Sequence, residues 1–382
     1  MKTIRLIIAI DSFKESLTSA KAADAFIRGF KIGNSKATFK KLLISDGGEG
    51  FTEALVNNSS GKLFSVSTRD PLYRKTKASI GRLNSGAFVI ETAAAAGLEI
   101  LKPHERNPLK TTTFGLGILI QAAVNRGAKE IIVGLGGSAT NDGGTGMLQA
   151  LGVKFIDKKG NELATPMTGS SLELIHKIDF SELKKLSSIK FTAACDVKNP
   201  LYGKMGAAAI FSPQKGANPQ MVKRLDAGLK NLAQAVKRST PKSNPDRPGS
   251  GAAGGLGFAF AECLKASLVP GIDIMLKACD FDRHLSDSDL VITGEGRIDG
   301  QTGGNKAPYG IASAAAKKGV PVIAVCGSMA QEASALYKNG FSGIYSIIPK
   351  PMNLSEAMQN AETNMVTFAE AFSRTISSLR KG

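Results

Sequence analysis

The sequence predicts an α/β protein of two domains, one with a covered parallel sheet and one with a less regular mixed sheet. Seven short runs, Ile4–Ile10, Phe39–Ile44, Ala87–Ile90, Glu130–Val133, Lys190–Ala194, Asp289–Ile292 and Pro321–Val325, are apolar on both faces, as strands buried between helices must be. Helical periodicity separates several of them. A chain of 382 residues is also longer than one core ordinarily fills.

The elements follow in order. After the first run, Ala23, Phe26, Ile27 and Phe30 recur at helical spacing, with Ser16 and Ser19 as candidate caps. Further helices are expected after Gly50, over about Phe114–Asn125, and as one long terminal helix over about Ser355–Leu379. Two stretches break this alternation. Leu63–Arg82 reads as strands around a turn at Asp70-Pro71, and Val153–Leu163 as a hairpin turning at Lys158-Lys159-Gly160, which together place a mixed sheet mid-chain. In Lys237–Gly257, Pro, Ser and Gly forbid regular structure until a helix resumes at Phe258, leaving a mobile loop or a substrate lid.

Composition narrows the function. The net charge is +17, yet no basic stripe is interleaved with aromatics and Trp is absent, so a solvated cationic surface is expected rather than nucleic-acid binding. Cys195, Cys263, Cys279 and Cys326 form no close pair and read as free thiols of a reducing cytoplasm. The N-terminal apolar run is cut off by Asp11 too early for a signal peptide, and no stretch approaches the roughly 20 apolar residues of a membrane span.

Chemistry collects where strands end. The run Ile131–Val133 opens into a loop, GLGGSATNDGGTG, with six glycines and the polar residues Ser138, Thr140, Asn141 and Asp142, a form that offers backbone N–H groups to an anion. Asp11, Asp46, Glu91, Asp196 and Glu295 each follow an apolar run closely. Ligands of open α/β sheets bind outside the carboxyl ends of strands, so these acids are expected to converge on one cleft; singly, each could as well cap a helix. Carboxylates, amides and a few cations in glycine-rich loops suit Mg²⁺-assisted phosphoryl transfer. No G-x-x-x-x-G-K-[ST] occurs. Gly134, Gly136 and Ala139 match the dinucleotide fingerprint, but Asn141, Asp142, Gly143, Gly144 and Gly146 interrupt the helix it requires. His104, His176 and His284 lie far apart in polar segments, which argues against zinc chemistry and a histidine triad.

With these loops in view the chain resembles the bacterial glycerate kinases that carry DSFK near the N-terminus. The matching stretches are DSFKESL (Asp11–Leu17), SDGGEG (Ser45–Gly50), GLGGSATNDGG (Gly134–Gly144), ACDVKNPLYG (Ala194–Gly203), GAAGGLG (Gly251–Gly257) and TGEGRIDGQT (Thr293–Thr302). Glu15 stands where a glycine is expected after DSFK, Ala96 where serine is usual, Ile118 where glutamate is usual, and Asn305 where a glycine usually precedes Lys306.

The resemblance implies a Rossmann-like, doubly wound domain from residues 1–66 and 284–382, a mixed-sheet domain of residues 67–283 inserted in it, and an active site in the cleft between them. It implies transfer of the γ-phosphoryl group of ATP, with Mg²⁺, to a hydroxyl of D-glycerate, giving 2-phosphoglycerate in the cytoplasm. By what glycerate needs, Lys14, Arg297 and Lys306 are expected to meet the substrate carboxylate and the phosphates, and Asp196, with Asp299 second, to take the hydroxyl proton. Asp46, Glu49 and Glu295 are the expected metal contacts. Asp11, Ser12, Gly47, Gly48, Gly136, Gly137, Ser138, Asn141, Asp142, Asn199 and Gln301 complete the expected substrate and nucleotide site. A monomer or homodimer with no nucleic-acid or membrane partner is expected. The alternatives are a kinase of the same fold acting on another small hydroxy acid, and a non-catalytic binder of anions or nucleic acid.

Overall fold

The computed structural model describes residues 3–45, 47–48, 50–299 and 306–379. Among these, the strands in chain order are β1 (Arg5–Ile10), β2 (Thr38–Lys41), β3 (Lys62–Arg69), β4 (Lys75–Arg82), β5 (Phe88–Glu91), β6 (Glu130–Gly134), β7 (Lys154–Ile156), β8 (Lys177–Asp179), β9 (Lys190–Ala194), β10 (Ser267–Val269), β11 (Leu290–Ile298), β12 (Val322–Met329) and β13 (Gly343–Ser346). The chain forms two compact units, Met1–Asp46 with Gly271–Gly382, and Gly47–Pro270. No helix among the described residues is long and apolar enough to cross a membrane.

The first unit, from the two ends of the chain, carries a parallel sheet in the order β13-β12-β11-β1-β2. Counted within the unit this is the doubly wound order 2-1-3-4-5, whose ligand crevice opens where connections diverge, at the carboxyl ends of β1 and β11. The helix Ser19–Gly33 buries Ala22, Ala23, Ala25, Phe26, Gly29 and Phe30. It packs on the terminal helix Ala361–Leu379. A side chain at Gly29 would overlap the Val366 carbonyl, so the approach of these helices requires glycine there.

Two local expectations are corrected. Thr18, not Ser16 or Ser19, caps the helix, its hydroxyl accepting from the Lys21 N–H. Ser19 instead donates to the Ile10 carbonyl and accepts from the Ile44 N–H, tying the end of β1 to the segment after β2. The terminal helix is two, Leu354–Gln359 and Ala361–Leu379, because Asn360 turns its side-chain amide back onto the Glu356 carbonyl at 2.8 Å.

In the second unit a six-stranded mixed sheet runs β10-β9-β6-β5-β4-β3, parallel from β10 to β5 and antiparallel from β5 to β3. The turn between β3 and β4 is held by Asp70, whose side chain accepts from the Leu72 and Arg74 N–H groups. The hairpin over Val153–Leu163 forms as expected, with Asp157 facing Asn161, Ile156 bridging Glu162 and Leu163 N–H donating to Phe155 C=O, and β7 also pairs antiparallel with the distant β8. In the segment expected as a loop, the helix Pro219–Ser239 runs on to Ser239, and Ala253, Gly254 and Gly255 hold left-handed φ of +49°, +71° and +97°, so helical backbone resumes only after Gly255, close to the expected Phe258. The residues between are fastened by Leu201 N–H to Pro245 C=O, Gly251 N–H to Asn199 C=O, and an ion pair of Arg247 with buried Glu262.

The sequence set the unit boundaries near residues 66 and 283; in the structure they fall at 46/47 and 270/271. The reason is packing: the helix Phe51–Asn58 rests on β4 and β5, and the helix Gly271–Ala278 rests on the helix Ala307–Ala316.

Candidate active site

In the second unit the glycine-rich loop leaves the carboxyl end of β6 between two neighbouring backbones. Gly136 N–H donates to Gly47 C=O at 3.0 Å, and a Cβ at Gly136 would lie 2.8 Å from Gly48 N, so only glycine lets these strands of loop touch. On its other side, Leu98 N–H donates to Gly137 C=O and Ala139 N–H to Ala96 C=O, which sets Ser138 opposite Gly97. Farther on, Gly143 N–H donates to Gly254 C=O, and Gly254 takes a left-handed φ of +71° against the Thr140 carbonyl. This explains why the glycine stretch 251–257 belongs to the same constellation as residues 134–144.

Asp142 is fully buried and works on the loop itself. Its carboxylate accepts from Thr113 N–H and O–H, both at 2.8 Å, from Gly144 N–H at 3.1 Å and from Gly146 N–H at 3.2 Å. Burial pushes its pKa up, against these four donors, which favour the charged form. Asn141, beside it, is the reverse case. Both ends of its buried side-chain amide have no hydrogen-bond partner among the described residues, and neither has the Thr140 hydroxyl. Buried polar groups are rarely left so, and a bound polar group is the usual remedy.

Lys215 is not among the residues expected from the sequence. This side chain is buried, and its amine donates to Ser138 Oγ at 2.8 Å and to Thr140 C=O at 2.7 Å. Burial pushes its pKa down to about 7, with Asp142 the nearby charge that opposes the fall. The signal in the sequence was a single lysine in SPQKGA, with no period or motif to mark it.

Glu91, at the end of β5, accepts from Gly50 and Thr52 N–H and so sits at the start of the helix Phe51–Asn58, a capping role. Asp196 follows β9 and is half-buried; Leu135 N–H donates to Ala194 C=O, which joins the end of β9 to the start of the glycine-rich loop. Asn199 closes its own turn, donating to Met205 C=O at 2.8 Å. None of the four cysteines is disulfide-bonded, and burial pushes their thiols up, to about 11 for Cys195 and about 12 for the rest, so none is a ready nucleophile.

In the first unit the expected residues gather at the carboxyl ends of β1 and β11. Asp11 N–H donates to Gly294 C=O, and the Asp11 side chain accepts from Ser12 N–H at 2.7 Å. Lys14 is exposed on the following turn. Next to it Glu15 holds a left-handed φ of +60°, the conformation that explains an expectation of glycine there. Glu295 and Arg297 alternate along β11 and therefore share a face, with Asp299 next in the series. Lys306 donates to Glu295 Oε2 at 2.9 Å, and Arg297 Nε lies 3.3 Å from Asp299 Oδ2. Asp46, Glu49 and Gln301 lie outside the described residues.

The donors on these loops that could hold an anionic group are the Lys215 amine, the Ser138 hydroxyl and the unpartnered Asn141 amide. Among the described residues no three His, Cys, Asp or Glu side chains cluster as a metal cage. Mg²⁺ needs none, because it keeps waters and phosphate oxygens and takes one or two carboxylates from the protein; Glu295 is the described acid suited to that.

The sequence model of the Glycerate kinase family matches residues 6–377. The glycerate kinase of Bacillus subtilis is 44% identical over 98% of each chain, and the glycerate 2-kinase of Escherichia coli is 41% identical over 98% of each. A crystal structure assigned to glycerate kinase 2 of Salmonella typhimurium LT2 superposes with a TM-score of 0.87 over the whole of both chains at 42% identity. Near-complete coverage by the family model and by these relatives means that the chain belongs to the glycerate kinase family.

Proposed function

We propose that this enzyme transfers the γ-phosphoryl group of ATP, as its Mg²⁺ complex, to a hydroxyl of D-glycerate, giving 2-phosphoglycerate and ADP. The observation that carries the reading is the glycine-rich loop at residues 136–142, where the Ser138 hydroxyl and the unpartnered Asn141 amide stand and onto which the buried Lys215 amine reaches. Relatives named for glycerate, one of them a 2-kinase, support the acceptor and its position.

In this mechanism the loop 136–141 presents donors to anionic oxygens, and Asp142 fixes its shape. Asp196 accepts the proton of the attacking hydroxyl; Asp299 is the alternative. Lys14, Arg297 and Lys306 neutralise the substrate carboxylate and the phosphates. Arg297 and Lys306 rest on Asp299 and Glu295 and would turn from these carboxylates to the substrate. Bound Mg²⁺ would supply charge neutralisation on the phosphates, held on the protein side by Glu295 and by Asp46 or Glu49.

The test is ³¹P NMR of the purified protein with Mg-ATP and D-glycerate. The expected product signal is that of 2-phosphoglycerate. A 3-phosphoglycerate signal overturns the regiochemistry, and no phosphorylated acid beside an active control overturns the reading.

A further inference from the structure

A buried lysine ammonium ordinarily meets a carboxylate, because an unpaired charge out of water is costly. The Lys215 amine meets two neutral oxygens instead, Ser138 Oγ and Thr140 C=O, and forms no ion pair among the described residues. A charged amine has three N–H donors, so one is left over. Ser138 Oγ accepts from Lys215, which turns its own O–H toward some other acceptor. Three residues along, the buried Asn141 amide lacks any partner. Around one stretch of loop there is thus a buried amine without an ion-pair partner, and the side-chain donors of Thr140 and Asn141 have no partner among the described residues.

We propose that Lys215 is the counter-cation of an anionic substrate oxygen docked on residues 138–141, and that the site takes up a proton from solvent as that anion binds. The identity of the anion rests on the kinase reading: it is the carboxylate of D-glycerate or a phosphate oxygen of the nucleotide, and both offer the same chemistry. Burial brings the empty site's amine to a pKa of about 7, so that it is only partly protonated at physiological pH. An arriving anion favours the protonated form. The charged side chains on the elements packed here are Asp142, on the loop itself, and Arg106, whose backbone packs against Gly216. Asp142 is committed to four donors of its own loop and is no substitute for the missing counter-ion.

The test is titration calorimetry of the full chain with D-glycerate and, separately, with Mg-ADP, each at pH 6 and pH 8 in two buffers of different ionisation enthalpy. For one of the two ligands, proton uptake should rise from about 0.1 at pH 6 to about 0.9 at pH 8, as a group of pKa about 7 requires. Lys215→Gln should abolish that uptake and weaken the same ligand about tenfold or more, leaving the other within about twofold. Which ligand responds distinguishes carboxylate from phosphate. Equal heats in both buffers for both ligands, or uptake that survives in a folded Lys215→Gln, overturns the proposal; if that variant does not fold, the wild-type buffer comparison decides alone. Uptake without any phosphorylated product removes the kinase reading and keeps the anion site. Product without uptake does the opposite.

Discussion

Replacing Asp142 by alanine leaves the buried N–H groups of Thr113, Gly144 and Gly146 without an acceptor; the Thr113 hydroxyl can rotate away. Each such loss costs about 1–3 kcal/mol, so Asp142→Ala is expected to destabilise by about 3–9 kcal/mol, much of a typical domain's total stability. Asp142→Asn behaves differently. Its amide oxygen can stay on the Oδ2 side, with Thr113 and Gly146, while its NH₂ then faces the Gly144 N–H, one bond exchanged for a donor–donor contact. Losing the buried charge offsets part of this, and the expected loss is about 1–3 kcal/mol. The protein has no Trp, so urea unfolding is best followed by far-UV circular dichroism. An alanine variant within about 1 kcal/mol of wild type would refute the assignment of Asp142 as the loop's internal anchor.

Three further outcomes are expected. Asp196→Asn should keep the fold and nucleotide binding and lower turnover by roughly 10²–10⁴-fold; wild-type turnover removes it as the base. Gly136→Ala should push the loop off Gly48, costing about 1–3 kcal/mol and at least about tenfold in kcat/KM, and a variant with unchanged Tm and kinetics contradicts the close approach. Lys215 loses its proton near pH 7 when folded but near pH 10.5 when unfolded, so between these values the unfolded chain binds more protons and stability rises with pH. Wild type should therefore gain on Lys215→Gln by about 1.4 kcal/mol per pH unit from pH 7 to 10 and not below 7; a gap that narrows over that range refutes the sign.

Much of the site's outline was legible because its signals are local. Glycine at positions 134, 136 and 137 announces close backbone approach, and an acid straight after an apolar run announces the carboxyl end of a strand. Glu91 shows the limit of that inference, since it lies at such an end and yet caps the helix Phe51–Asn58, some 40 residues earlier in the chain. Asn199 likewise spends its amide N–H on its own turn. The task of a polar side chain depends on which backbone donors arrive beside it, and these come from distant segments.

What the sequence determined by itself is the α/β class, the seven strand-forming runs and the hairpin turning at Asp70, because apolar runs and turn chemistry act through neighbouring residues. Tertiary structure alone decided that β7 pairs with β8, that residues 47–66 pack with β4 and β5, and that Lys215 reaches Ser138 across 77 positions of chain. Pairing and burial are long-range choices, made by whichever surfaces the folded chain brings together. An isolated lysine carries no mark of the desolvation that will change its charge.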